Sequence, residues 1–540
     1  MRAAAPSIQG GGDSTELGRS PFRRPVLPSV HPFVGMDLNT ALADRVETRG
    51  HHPLLIWAPP GADCTAWTYA DFAVDVRRMA AGLAARGVTS GDAVIVHMDN
   101  CPAFLMLFFA CAQLGAVAVC VNTRYSADEI EHAIGLTGAT GIVTDPRLGL
   151  ADSLAGLAEW IAVLDATSGL VAELMSADEL AVKRSAEPAA PLCVLLTSGS
   201  TSRPKAVLFT HANALWGGRV GANHWGLAKD DVHLIHAPLF HSMALSWQFL
   251  ATFWAGGTIV LQPRFSVSGF WGVASEYRCT TTNYLGPLMD LDPTVALPHH
   301  SFRTWMAGAE DIAVERRFGL RLFSGWGMTE LFTSGIANDP DHRAEERAIG
   351  RPSPEYQMRI ESDEGSDCAV GVPGALLIRG VRGLSVFCEY VGDPVATASA
   401  FDASGYFRTG DRVVLLDSGN IQFVSRAKDM LKVGGENVAA AEIERVIRGV
   451  PGVVDVAVVG QADRILAEVP CAFITIAPAL HQADIVDQVL AICEANLARF
   501  KVPRRVHVLA EMPRVTLDKI AKEPLRELAR HLVKVEQENR

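Results

Sequence analysis

A short polar loop near the middle of the chain has the composition of an anion-binding site. Residues 196–205 read Leu-Thr-Ser-Gly-Ser-Thr-Ser-Arg-Pro-Lys, and the apolar run 192–196 predicts a buried strand leading into them. Such a loop can offer backbone N–H groups, several hydroxyls and the Lys205 ammonium to a single anion. It is not a P-loop, because no Gly-Lys-Ser/Thr triplet ends it and no helix start follows at once. Taken alone, the segment is also compatible with a surface turn.

Further segments spread along the chain combine glycines with carboxylates, hydroxyls and cations. In chain order they are 121–125 (VNTRY), 238–241 (PLFH), 325–330 (GWGMTE), 408–411 (RTGD), 426–429 (RAKD), 434–438 (GGENV), 500–503 (FKVP) and 513–520 (PRVTLDKI). Together with the loop, this set resembles the AMP-forming adenylating enzymes, which are the acyl-CoA synthetases, luciferases and peptide-synthetase adenylation domains. The resemblance covers nearly the whole chain. It is strongest to the acyl-CoA synthetase branch.

The resemblance implies an ATP site that works with magnesium. The residues implied to hold the β- and γ-phosphates are Thr197, Ser198, Gly199, Ser200, Thr201 and Lys205. Glu330 is the expected Mg²⁺ ligand, because Mg²⁺ takes one or two carboxylates and completes its shell with phosphate oxygens and water. Thr329 beside it is expected to hydrogen-bond the α-phosphate.

The nucleoside part of ATP has its own expected residues. The resemblance implies that Asp411 accepts both ribose hydroxyls, a charge-assisted interaction, and that Arg426 adds a ribose or phosphate contact. Trp326 is expected to stack on the adenine. The other side of the adenine slot would be the turn of Ala307, Gly308 and Ala309.

The C-terminal part of the chain is expected to move during the reaction. By resemblance, Lys519 reaches the α-phosphate and carboxylate oxygens while the acyl-adenylate forms, where an ammonium suits the developing charge. Lys428 is the expected hinge. After rotation, Gly434 and Gly435 would line a tunnel for the pantetheine of CoA, since glycine allows close backbone approach to a ligand.

The acyl pocket is less clearly marked. Its candidate residues by position are His241, Met243, Trp247, Tyr284 and Ala307, with His241 also a candidate catalytic residue. A quaternary-ammonium acid would need an aromatic cage or a buried carboxylate. The candidate pocket segments contain no acidic residue except Glu310, which follows the adenine turn and could point elsewhere. We therefore expect an uncharged acyl tail, although Ser202 and residues 270–278 resemble ligases of the carnitine/crotonobetaine type.

Three residues depart from the family pattern. Ser202 and Ala206 replace glycines of the phosphate loop, and Asp518 replaces the glycine before Lys519. A serine at a position of positive φ would add strain of about 1 kcal/mol. A carboxylate beside Lys519 could attract the ammonium and weaken its action on the substrate. These departures put the catalytic efficiency in doubt rather than the reaction.

Each singled-out residue also has a purely structural interpretation. Lys205 could be a solvated loop lysine, Glu330 a helix N-terminal acid and Asp411 a turn residue. Trp326 could be a core residue, and Gly434 with Gly435 could form a hairpin turn. The co-occurrence of all the segments in order favours the functional interpretation.

Periodicity and composition predict an α/β fold with a large N-terminal domain and a small mobile C-terminal domain. The alternation of helical and strand-like segments as far as residue 336 predicts largely parallel strands, with a helix at 71–87 and a strand at 93–97 among them. After residue 429, the pattern predicts a βαβ-like tail with helices at 440–449 and 483–500.

Residues 1–35, rich in Gly, Ser, Pro and Arg, are expected to be a flexible extension. Residues 36–427 form the expected AMP-binding domain, with a β-rich subdomain at about 371–427, and 428–540 the expected α+β domain that carries the catalytic lysine. The apolar stretch 103–121 is interpreted as a buried helix followed by a strand rather than a membrane span.

The composition supports an enzyme that acts on small molecules. The chain has 540 residues, a net charge of −12 and 49% hydrophobic residues, which argues against nucleic acid or membrane as a partner. The ten cysteines show no paired or zinc-like spacing and predict reduced thiols in a cytoplasmic protein. A homodimer is left open.

We therefore expect an acid–thiol ligase that uses ATP, Mg²⁺ and CoA and acts on a small carboxylic acid. The alternative is an adenylating enzyme that loads the acyl group onto a carrier-protein phosphopantetheine. A nucleotide-binding pseudoenzyme is the third interpretation. His241 occupies a segment where amino-acid-activating relatives carry an aspartate, which speaks against an amino acid substrate.

Overall fold

The computed structural model describes most of the chain. The described residues are 20–165, 168–180, 184–197, 204–283, 288, 297–338, 344–426, 430–477, 482–515, 519–520 and 522–538. Side chains are described for all of these except 425–426, 437, 514–515, 519 and 533–538.

Helices are distributed along both the N-terminal and C-terminal parts. The α-helices among the described residues are α1 Leu38–Arg49, α2 Tyr69–Ala85, α3 Pro102–Leu114, α4 Ala127–Thr137, α5 His211–His224, α6 Ala251–Ala255, α7 Val267–Glu276, α8 Ile312–Phe318, α9 Pro394–Ser399, α10 Ala440–Arg448, α11 Gln482–Asn496 and α12 Lys522–Glu538. A π-helical segment, Met243–Leu250, runs directly into α6.

The strands alternate with these helices. They are β1 Pro53–Trp57, β2 Thr65–Thr68, β3 Ala93–His97, β4 Val117–Cys120, β5 Gly141–Thr144, β6 Trp160–Val163, β7 Pro191–Thr197, β8 Lys205–Thr210, β9 Val232–Ile235, β10 Thr258–Leu261, β11 Thr281–Asn283, β12 Thr304–Ala307, β13 Arg321–Gly327, β14 Ser334–Ala337, β15 Ala348–Pro352, β16 Gln357–Glu361, β17 Gly374–Arg379, β18 Glu389–Tyr390, β19 Phe407–Leu415, β20 Ile421–Arg426, β21 Met430–Val433, β22 Glu436–Ala439, β23 Val453–Asp463, β24 Ala467–Ile476, β25 Arg505–Val508, β26 Arg514–Val515 and β27 Lys519–Ile520.

Two large sheets form the body of residues 20–426. One has the strand order β18-β8-β7-β4-β3-β5-β6, and the other has the order β16-β17-β19-β20-β15-β14-β13-β12-β11-β9-β10-β1-β2. In the second sheet, β1 and β9 to β13 pair in parallel, whereas β14 to β17, β19 and β20 pair antiparallel. The prediction of largely parallel strands for residues 36–336 therefore holds for β1 and β9 to β13. The antiparallel strands that follow β13 lie mostly after residue 336, where short connections permit antiparallel pairing.

Residues 430–538 form a smaller unit around another sheet. Its strand order is β22-β21-β24-β23, with β25 parallel to β24. The expected βαβ unit is present only as β24-α11-β25, because β23 and β24 are joined by a tight antiparallel hairpin. The predicted α/β fold with a large N-terminal and a small C-terminal domain is confirmed.

Two helices have ends that differ from the predicted ones, because local capping sets where each helix begins or ends. The helix predicted at 71–87 is α2, which starts earlier because Thr68 and Asp71 form a capping box. The helix predicted at 483–500 ends at Asn496, since Ala498 is extended and a separate 3₁₀ turn, Arg499–Lys501, follows.

The apolar stretch at 103–121 is a core element. Helix α3 is fully buried from Ala103 to Ala112, and it is followed by the buried strand β4. Gly115 ends the helix in a left-handed conformation. Among the described residues, no helix combines the length and the apolar character that crossing a bilayer requires.

Candidate active site

The polar loop connects two paired strands. Thr197 is the last residue of β7 and pairs with Lys205, the first residue of β8, so the loop closes an antiparallel hairpin. Residues 198–203, and with them the predicted phosphate contacts Ser198, Gly199, Ser200 and Thr201, lie outside the described residues. The Lys205 ammonium lies 4.3 Å from the centre of the Tyr390 ring.

Glu330 lies next to this lysine. It is buried in the 3₁₀ turn Thr329–Leu331, directly after β13. The Tyr390 hydroxyl donates a 2.8 Å hydrogen bond to Glu330 Oε1. Burial, followed by the Glu330 charge, raises the pKa of Tyr390 well above its usual range, so the phenol remains a donor. Lys205, Tyr390 and Glu330 thus form one cluster at the end of the loop hairpin.

A second buried pair joins the other predicted nucleotide residues. Trp326, near the end of β13, donates its indole N–H to Asp411 Oδ2 at 2.9 Å. Both residues are more than nine-tenths buried. Asp411 in β19 is also in register with Arg426, the last residue of β20.

The turn after β12 provides open space beside this pair. Ala307 ends the strand and is buried, Gly308 is exposed, and Ala309 is half-buried. A Cβ atom at Gly308 would meet no other atom within 4 Å. A flat ring can therefore approach the backbone here.

Glu310, which follows the turn, is held by polar groups of β13 and of the residue after β14. It is buried and accepts a 2.9 Å hydrogen bond from Ser324 and another from the Asn338 amide. Its backbone N–H donates to Ala348. The carboxylate is thus engaged with polar side chains of the large domain.

Two of the acyl candidates, Trp247 and Met243, lie in a layer of aromatic side chains. Trp247 in the π-helical segment is buried in a cluster with Trp225, Met306 and Phe323, and the half-buried Met243 packs against it. Trp225 and Phe323 stack at 5.2 Å.

The Trp247 ring also reaches the backbone of the GWGMTE segment. A Cβ at Gly327 would come within 2.3 Å of it, so only glycine fits there. Tyr284 lies outside the described residues.

The small domain reaches this site with a glycine hairpin. Gly434 and Gly435 connect β21 and β22 with φ values of +57° and +88°, which glycine adopts without strain. The next residue, Glu436, accepts a 2.9 Å contact from His241 Nε2 in the large domain.

The Glu436 carboxylate is ionised in this setting. Burial alone would raise the pKa of Glu436, but the charge and hydrogen bond of His241, with Arg124 and Asn122, outweigh it and lower the pKa. The predicted tunnel residues and the predicted catalytic histidine are therefore neighbours.

Two further predicted residues are placed only in part. Lys519 is on β27, paired with Val515 of β26, and its side chain is not described. The predicted hinge Lys428 lies outside the described residues, between β20 and β21.

Sequence analysis missed two members of the site. Tyr390 carries no local motif, and only the fold brings it to Glu330, 60 residues away in sequence. Glu436 had a usable signal, because it directly follows the paired glycines in the GGENV segment.

Comparison with known proteins agrees with this geometry. The family description "AMP-binding enzyme" matches residues 42–391, and "AMP-binding enzyme C-terminal domain" matches residues 442–519. A crotonobetaine/carnitine–CoA ligase from Citrobacter koseri is 32% identical over 523 residues, which cover 91% of this chain and 99% of the relative.

Solved structures of one protein, the o-succinylbenzoate CoA synthetase MenE of Bacillus subtilis, match in two complexes. A double mutant bound with its product analogue OSB-NCoA gives a TM-score of 0.79 at 26% identity, covering 90% of this chain and 98% of that one. The complex with AMP gives a TM-score of 0.65 at 26% identity, covering 90% and 97%. The chain belongs to the AMP-binding enzyme family and, within it, is an AMP-forming acid–CoA ligase.

Proposed function

We propose that this ligase activates an acid with an uncharged acyl tail. The observation that carries this choice is the engagement of Glu310 by Ser324 and Asn338, which commits the acidic residue of the candidate pocket segments to partners within the protein. The layer of Trp225, Trp247, Met306 and Phe323 offers an apolar wall instead.

ATP would bind across the ends of β7, β12 and β13. Thr197 and Lys205 would hold the outer phosphates, and Thr329 the α-phosphate. Trp326 and the 307–309 turn would enclose the adenine. Asp411, already oriented by the Trp326 indole, would accept the ribose hydroxyls.

The residues present also fit a magnesium ion bound with ATP. Glu330 would supply the protein carboxylate. The hydrogen bond from the Tyr390 hydroxyl to Glu330 Oε1 fixes the orientation of that carboxylate. A magnesium ion bound this way would complete its shell with phosphate oxygens and water. Such an ion neutralises phosphate charge.

In the first step, an oxygen of the substrate carboxylate bonds to the α-phosphorus of ATP, and pyrophosphate leaves with the electron pair of the broken P–O bond. Lys519 would stabilise the charge that accumulates at this centre. The product is an acyl-adenylate.

In the second step, the CoA thiolate bonds to the acyl carbon and AMP leaves. The hairpin of Gly434 and Gly435, which lies beside His241, would line the path of the pantetheine in this step. The higher TM-score to the complex with the product analogue than to the AMP complex, at equal identity and nearly equal coverage, supports this assignment.

One alternative acid class is favoured by a specific observation. The Citrobacter koseri relative is named as a crotonobetaine/carnitine ligase, and Trp225 and Trp247 present aromatic faces that can bind a quaternary ammonium. Residues 270–271, which carry part of that resemblance, pack in the cluster around Trp305 and not in the cluster of Trp225 and Trp247.

The deciding experiment measures acid-dependent pyrophosphate release with aliphatic and aryl acids in competition with carnitine and crotonobetaine. We expect a preference for the uncharged acids. A preference for the betaines that is lost in Trp247→Ala, but kept in Trp271→Ala, would overturn the choice. Comparing CoA with a phosphopantetheinylated carrier protein as the acceptor tests the alternative of carrier loading.

A further inference from the structure

Two segments singled out in the sequence have no role in the chemistry described so far. They are 121–125 in the large domain and 500–503 in the small domain. The structure brings them together: the Arg124 guanidinium lies 5.5 Å from the Phe500 ring, and the Lys501 ammonium lies 4.9 Å from the Tyr125 ring. Their contact forms part of the face between the domains.

Lys501 is the centre of this face. Only 1% of it is exposed. Its ammonium donates to Glu442 Oε1 of the small domain at 2.9 Å, and also to Glu129 Oε1 of the large domain. Both carboxylates are buried as well, so one cation is shared by two anions that belong to different domains.

The large-domain carboxylate is held in place before docking. Glu129 is in the first turn of α4, where its Oε2 accepts the Ser126 N–H at 2.9 Å and the Ser126 hydroxyl accepts the Glu129 N–H. This capping box fixes the side chain and leaves Oε1 for Lys501. The acceptor is therefore pre-organised.

The charges make the contact specific for one arrangement. Burial alone would lower the pKa of Lys501, but Glu129 and Glu442 outweigh it and raise the pKa, so the ammonium stays charged. A buried ion pair fixes orientation more than it adds affinity. When the domains separate, water replaces the lost partner. The contact therefore favours docking without preventing release.

Apolar packing adds little across this face. Among the described residues, the buried apolar clusters lie either within 20–426 or within 430–538.

We propose that Lys501, with Glu129 and Glu442, is a positioning latch that holds the small domain where its glycine hairpin meets His241, for the transfer of the acyl group to the thiol. This inference rests on the proposed second step.

The sharpest test uses Glu129→Gln, because glutamine keeps the capping box and removes only the charge. The matched control is Glu131→Gln, an exposed residue of the same helix. With purified full-length protein, we expect thioester formation from pre-made acyl-adenylate to fall about tenfold. Acid-dependent ATP–pyrophosphate exchange should stay within about twofold of wild type.

Lys501→Met should have a larger effect, because it leaves two buried carboxylates facing each other. We expect transfer to fall about a hundredfold, with Lys229→Met, an exposed lysine of the large domain, as the control. The double variant Glu129→Gln/Lys501→Met should lose no more than Lys501→Met alone, because both changes break one contact.

Two results would overturn the latch: unchanged transfer in Glu129→Gln, or equal losses in both half-reactions with an unchanged melting temperature. A wild-type chain that forms no acyl-adenylate from any acid would instead overturn the proposed function. In that case, energy transfer between dyes on the two domains still tests the latch, because Glu129→Gln should reduce the docked population and Glu131→Gln should not.

Discussion

The nucleotide side of the site and the face between the domains are built by different means. On the nucleotide side, neutral donors bind carboxylates within one domain: Trp326 binds Asp411, and Tyr390 binds Glu330. Across the domain face, a buried ammonium and an imidazole bind carboxylates of the other domain. Trp326 packs in an apolar cluster of its own domain, whereas no buried apolar cluster of the described residues spans the domain face.

This difference matches two requirements of a two-step ligase. ATP and the acid must meet groups that are already oriented, which a packed core provides. In the proposed mechanism the small domain docks in one orientation and leaves again, and charged contacts can be exchanged for water without exposing apolar surface. Changes at the nucleotide side should therefore affect the first step, and changes at the face the second.

The strongest way to test this division is Lys519→Ala. Lys519 would act only while the acyl-adenylate forms, so we expect the first step to fall about 10²–10³-fold, as for one lost electrostatic stabiliser. Thioester formation from pre-made acyl-adenylate should be largely kept. Pyrophosphate exchange and single-turnover transfer assays measure the two steps. Equal losses in both would show that the domains do not alternate.

Lys428→Pro should produce the opposite pattern. Proline fixes φ near about −65° and restricts the residue before it, so the chain between β20 and β21 could not absorb a rotation. We expect acyl-adenylate to form and stay bound, with transfer to CoA reduced about a hundredfold by misplacement of the small domain. Normal turnover would place the hinge elsewhere.

Local sequence predicted much of the fold. Strand β3 was predicted at its observed bounds, and β7 to within one residue at each end, because apolar runs between turn residues are local signals. The ligase activity was predicted from ordered motifs, and that prediction is confirmed. The roles of Glu330, Asp411, Lys519 and the other candidate site residues stay predictions.

What the sequence could not supply is pairing between distant segments. Tyr390 reaches Glu330 because β18 pairs with β8, next to the loop hairpin, and nothing within either segment indicates this. Likewise, Lys501 looks like an ordinary solvated lysine in sequence, and only the docked domains bury it between Glu129 and Glu442.

A smaller effect is expected from Glu436→Gln at the domain face. The variant keeps a neutral hydrogen bond to His241 but loses the charge, so transfer should fall roughly tenfold while adenylation is unchanged. Glu494→Gln, an exposed residue of α11, is the control. Loss of adenylation in Glu436→Gln would contradict the division.

The pH dependence sharpens this prediction. Docking lowers the pKa of Glu436, so its contribution to docking is complete above the ordinary glutamate value of 4.5 and is lost only as the pH falls through the lowered pKa. The advantage of wild type over Glu436→Gln in transfer rate should therefore persist down to about pH 5 and be lost only at lower pH. A loss of this advantage between about pH 6 and pH 5 would mean that Glu436 is not the ionised partner.

The smallest effect is expected on the nucleotide side, in Trp326→Phe. Phenylalanine keeps an aromatic face for the adenine but removes the N–H that orients Asp411, and the lost hydrogen bond to a charged group is worth about 1.5–3 kcal/mol before relaxation. Because water can replace part of it, we expect the KM for ATP to rise about three- to tenfold. Transfer from pre-made acyl-adenylate should change less than the KM for ATP.

Trp216→Phe is the matched control for Trp326→Phe, since the Trp216 indole donates to the Tyr356 hydroxyl outside the nucleotide site. Loss of that hydrogen bond should affect stability but not the KM for ATP. An equal rise in both variants would show that Trp326 serves packing rather than the nucleotide.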